Sequence, residues 1–130
     1  MTRLEEAVDK HPLIGAWSLE IRLEGRPRRD LATCAYHPDG SMSLSTSGYA
    51  AHGVWNPTNG HAARIRAMAP LGPSEGQVGW QILEADVETS PDGRSISLRG
   101  AFAHPTPSGV PLRIPIDGMG ERILAGGPAS

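Results

Sequence analysis

No catalytic residue is assigned by the sequence, and the two side chains whose types suit proton transfer are Tyr36 and His52. His52 precedes Gly53-Val54-Trp55 in an extended run, and an imidazole changes charge close to neutral pH, so it can serve as acid or base. Tyr36 follows Ala32 and Cys34 at every second position, the spacing that puts side chains on one face of a strand. Both are the candidate catalytic residues. The remaining histidines (His11, His37, His61 and His104) are scattered, and three of them immediately precede proline. No His-x-His, Cys-x-x-Cys or His-Glu-x-x-His spacing occurs, so neither a metal nor any other cofactor is expected. Cys34 lacks a nucleophile's partner and reads as a small buried residue. There is no Gly-x-Ser-x-Gly elbow and no phosphate-cradling glycine loop.

A second constellation is apolar. Tyr36, Trp55 and Phe102, with the small residues Ala63 and Ala67, would line a hydrophobic pocket carrying one or two polar handles, which is the usual make-up of a small-molecule site. Each aromatic also reads as core filling. The chain holds only six aromatics, while alanines recur along its extended runs, and that shortage of large fillers favours a cavity over a solid interior.

The elements that would position these residues are strands. In Trp17-Ser18-Leu19-Glu20-Ile21-Arg22-Leu23-Glu24 apolar and polar residues alternate without exception, giving one dry face and one wet face. Similar runs follow: Leu31 to Tyr36, Ser41 to Ser45, Tyr49 to Trp55, His61 to Met68, Gln77 to Glu88, Ser95 to Ala103, Val110 to Ile116, and Arg122 to Leu124. Turn chemistry separates them, including Pro38-Asp39-Gly40, Asn56 to Gly60, Pro91-Asp92-Gly93 and Asp117-Gly118-Met119-Gly120. His37 to Ser45 and Ser90 to Leu98 look alike, most simply because one hairpin solution is used twice. Strict alternation places Trp80 outside unless a bulge near Gly79 shifts the phase. Arg64 and Arg66 share the wet face of their strand. Ahead of the strands, Thr2 to Asp9 reads as a short helix with a capping-box start, stopped by His11-Pro12.

The expected fold is therefore all-β: a single up-and-down antiparallel barrel of about eight strands with a short N-terminal helix. One domain spans 1–130, with the helix region over 1–11, the barrel over 13–124 and a flexible tail over 125–130. Rolling the meander shut removes exposed strand edges. Eight strands enclose just enough room for side chains or one small ligand.

Gly15-Ala16-Trp17, after a short helix and on the first strand of a meander, resembles the lipocalin and calycin superfamily, and within it the lipocalin-like domains of the bacterial cytoplasm. In that family the tryptophan closes the barrel floor and a C-terminal arginine packs over its ring. Arg122, in Gly120-Glu121-Arg122-Ile123, matches by position, so the resemblance implies that Trp17 and Arg122 close the barrel. The sequence departs from secreted lipocalins in lacking their Thr-Asp-Tyr motif, disulfides and C-terminal helix. It also lacks the Arg-x-Tyr of fatty-acid-binding proteins. Some barrels of this kind are natural-product enzymes, which implies a cofactor-free cyclase or isomerase acting on a polyketide or polyene as the alternative to simple binding.

Composition narrows the partners. A net charge of −2 and a pI near 6.2 give no footprint for nucleic acid. Eleven of the twelve basic residues are arginine, a coding bias that also explains the run Arg26-Pro27-Arg28-Arg29 beside Asp30. A single cysteine, no secretory signal and no apolar span point to a cytoplasmic protein that avoids the membrane. The leading expectation is reversible binding of one small hydrophobic molecule inside the barrel. A solid barrel used as a protein-interaction module is the third reading, and a homodimer is compatible with the sequence.

Overall fold

The computed structural model describes residues 11–25, 29–70 and 79–124. The expected helix over Thr2 to Asp9, the tail over 125–130 and Arg26 to Arg28 lie outside those residues. Eight strands follow one another: β1 (Gly15–Leu23), β2 (Arg29–Tyr36), β3 (Ser41–Thr46), β4 (Ala50–Asn59), β5 (Ala62–Pro70), β6 (Trp80–Thr89), β7 (Ser95–His104) and β8 (Leu112–Arg122). Each pairs antiparallel with the next, and β8 pairs back onto β1 from Trp17↔Arg122 to Leu23↔Ile116. The sheet is a closed up-and-down barrel, so among the described residues every strand has two partners and no edge is left unpaired. Among the described residues there is no helix.

Two-residue periodicity sorts the side chains. Trp17, Leu19 and Ile21 of β1 face inward, as do Ala32, Cys34 and Tyr36 of β2, and the inward residues of the other strands join them in one buried cluster. Arg22, Arg29, Arg64, Arg66 and Arg99 stand on the wet outer wall. No bulge interrupts the pairing of β6, so Trp80 keeps the phase of Ile82 and Glu84 and is 55% exposed outside the barrel.

The two Pro-Asp-Gly hairpins are built alike. In the β2–β3 turn Asp39 Oδ1 accepts bonds from Ser41 N–H and Oγ at 2.8 and 2.6 Å. In the β6–β7 turn Asp92 Oδ1 accepts from Arg94 N–H at 3.0 Å and from Ser90 Oγ. These bonds hold both carboxyls below the usual range, the Ser41 hydroxyl dominating for Asp39 and the Ser90 hydroxyl for Asp92.

Two expected turns are strand instead. Asp117-Gly118-Met119-Gly120 does not split the last run: β8 continues through it to Arg122. Gly120 is needed for close approach rather than for a bend, because a Cβ there would lie 1.8 Å from the carbonyl oxygen of Ser18 on β1. Likewise β4 runs on through Asn56, Pro57 and Thr58 to Asn59, absorbing the proline at a register shift between Pro57 and Asn59. The β3–β4 ladder has already ended at Val54, so the missing proline N–H leaves no bond unmade there.

Candidate functional site

The barrel has two unlike ends. At one, residues 11–14 fold beneath the strands and seal them. Trp17 is fully buried, its indole N–H donating to Leu13 O at 2.9 Å. The Arg122 guanidinium lies over the Trp17 ring, 4.2 Å from its centroid. That guanidinium also donates to three carbonyls: Gly93 O at 2.9 Å, Ile14 O at 2.8 Å, and Pro12 O. A planar fork with several donors in fixed directions can satisfy all three at once, which an ammonium on a flexible stem cannot. The structure also explains the glycine of Gly-x-Trp. Gly15 has φ +127°, and a Cβ there would sit 2.8 Å from Arg122 Nη1.

His11 completes this floor. Its Nδ1 accepts from Leu13 N–H at 3.2 Å, so the proton of the neutral ring resides on Nε2, which donates to Asn59 O at 2.8 Å. The ring packs edge-on against Trp55 with centroids 5.4 Å apart, and the Trp55 indole donates to His37 O at 3.0 Å. Sequence reasoning placed His11 in a loop and missed this bracing, which depends on a contact 48 residues away.

Above the floor the interior is side chain. Tyr36, Trp55, Ala63 and Ala67 are all buried in the central cluster, Tyr36 standing edge-on to Trp55 at 5.9 Å. Burial pushes the Cys34 thiol up to about 12. Burial, then the neighbouring Cys34, raises Tyr36 well above the ordinary phenol range. Both groups are held neutral. Tyr36 Oη lies beside the thiol yet has no partner of hydrogen-bonding geometry among the described residues. His52 stands on the opposite side of the wall, exposed to solvent. The two candidate acid–base residues are therefore separated by the sheet.

Among the described residues the other end is open. A cleft of about 470 Å³ enters between the start of β2, the end of β7 and the start of β8. Leu23, Tyr49, Phe102, Leu112 and Ile114 form its apolar wall, and Asp30, Thr46, Gln81 and His104 are its polar handles. Phe102 is the one member of the expected pocket that lines this cleft. Tyr49 meets it edge-to-face, with centroids 5.5 Å apart and ring planes at 90°, a favoured aromatic arrangement.

Local turn chemistry sets this geometry. Thr46 Oγ1 accepts from Gly48 N–H at 3.0 Å and Tyr49 N–H at 3.1 Å, while Thr46 N–H donates to Tyr49 O at 2.9 Å. That clamp starts β4 with the Tyr49 ring over the opening. Across the mouth, Thr106 Oγ1 donates to Val110 O at 2.5 Å and Gly109 N–H donates to Thr106 O at 3.0 Å, tying the loop that leads into Leu112. Burial, then the Asp30 carboxylate, raises the Tyr49 phenol above its ordinary range, so Tyr49 stays a neutral donor. No known family matches the chain, and no curated protein is detectably similar to it.

Proposed function

We propose that this protein is a lipocalin-like carrier that reversibly binds one small hydrophobic molecule, taken up at the open mouth of the barrel. The asymmetry of the two ends carries the reading. One end is braced by Trp17, Arg122 and His11, whereas the other presents an aromatic pair and three aliphatic side chains around a cleft of about 470 Å³. Small-molecule sites have this composition: apolar walls with a few placed polar groups. Binding rather than catalysis fits the arrangement, since Tyr36 is packed in the cluster and His52 faces solvent.

The expected affinity is modest. Burying ~150 Å² of a bicyclic aromatic at ~25 cal/mol/Å² stabilises the complex by ~4 kcal/mol before immobilisation is subtracted and polar contacts are added. A dissociation constant on the order of 1 mM follows. Titration calorimetry with 1-naphthylmethanol tests this. Wild type is expected to bind one equivalent, and Ile114→Arg, which fills the half-buried mouth with a long side chain, to bind at least about tenfold more weakly while keeping a cooperative unfolding transition. A wild-type protein that takes up no apolar probe would overturn the proposal.

A further inference from the structure

We infer that the molecule taken by the mouth carries an amine, held by the Asp30 carboxylate with its ammonium against the Tyr49 and Phe102 rings. This rests on the binding reading above and adds the chemical class of the ligand.

Charge is sorted across the barrel wall. Apart from Arg122, which is committed to the floor, every described arginine is exposed on the outer wall or in a turn. Acidic residues follow the same rule along the strands: Glu20, Asp86 and Glu88 all point outward. Asp30 breaks it. It pairs with Ile21, keeps the inward phase of Ala32, Cys34 and Tyr36, and lines the cleft. Among the described residues, no arginine or lysine lines that cleft.

A carboxylate beside apolar walls is costly unless a cation or hydrogen-bond donors meet it. Here the neighbouring rings are Tyr49 and Phe102, perpendicular to one another, and aromatic faces attract an ammonium by their quadrupole. A negative group and two rings around one opening are complementary to a protonated amine on an apolar body. They disfavour a fatty acid or other anion, which would meet Asp30 with like charge.

Calorimetry with three probes sharing one apolar body tests this: 1-naphthylmethylamine, 1-naphthylmethanol and 1-naphthoate, each against wild type and Asp30→Asn at low ionic strength. The amine is expected to bind wild type about tenfold more tightly than the alcohol, and the carboxylate more weakly than either. In Asp30→Asn the ratio of amine to alcohol affinity should fall from about ten to about one and the carboxylate should lose its disadvantage, with the cooperative unfolding transition retained. Equal or tighter binding of the alcohol or the carboxylate to wild type would overturn the amine assignment alone, as would an amine preference that survives in Asp30→Asn. Binding of none of the three would overturn the carrier reading and this inference together.

Discussion

Arg122 does more at the residue level than its sequence position reveals. From the chain alone it is one of eleven arginines in a biased composition, and only its distance from Trp17 and the family likeness single it out. The stacking was legible in that way; the three carbonyls it gathers were not, because they come from residues 12, 14 and 93. Hydrogen bonds to a charged group contribute about 1.5–3 kcal/mol each, and Lys cannot reproduce the fork. Arg122→Lys is therefore expected to lower unfolding free energy in urea by ~2–4 kcal/mol, with Trp17 emission shifting to the red as its ring is wetted. Cys34 provides a second test at this scale. Its folded pKa lies above its ordinary value of 9.0, at about 12, so the stability it contributes is complete below pH 9 and is lost as pH rises toward 12. Wild-type unfolding midpoints should fall between pH 9 and 11, and Cys34→Ala should flatten that decline. In the folded protein at pH 8 the thiol should react with a soluble disulfide reagent at least ~100-fold more slowly than in urea, because the thiolate is the nucleophile and burial suppresses it.

Strands are the scale at which the sequence speaks most clearly. Alternation in β1 needs only local information, because the side chain reverses face at each residue, and it places Trp17, Leu19 and Ile21 inside where the structure has them. Glycine is where local reading misleads. The same residue that marks a bend in Pro-Asp-Gly marks, at Gly118 and Gly120, the place where β8 presses against β1, and nothing within the tetrapeptide distinguishes the two uses. Gly120→Ala separates them experimentally. A Cβ there meets the Ser18 carbonyl at 1.8 Å, so the seam must open, at a cost of ~3 kcal/mol or more by analogy with overpacked cores. A fall in Tm of about 10 °C is expected, at ~3–4 °C per kcal/mol for a domain of this size. Gly60→Ala, whose Cβ would meet nothing within 4 Å, should melt with wild type.

At the scale of the whole molecule, the sequence foretells a closed barrel but not which end bears the cleft. Strand phase alone already turns Leu23, Asp30 and His104 inward at one end, in step with Ile21, Ala32 and Phe102; that signal was available and extends each inward row by one position. What could not be read is that residues 11–14 fold under the opposite end, that Trp55 packs against His11 and that Tyr36 packs against Trp55, since those contacts depend on barrel closure. The three tryptophans now report three places: Trp17 at the floor, Trp55 in the cluster above it, and Trp80 on the outer wall. The most direct test of an open, ligand-binding mouth is an amide and indole NMR titration with 1-naphthylmethanol. Saturable shifts are expected at Thr46, Tyr49, Phe102 and Ile114, with all three indole N–H signals left in place. Shifts centred on the Trp17, Trp55 or Trp80 indoles, or none up to the probe's solubility, would contradict a ligand-binding mouth.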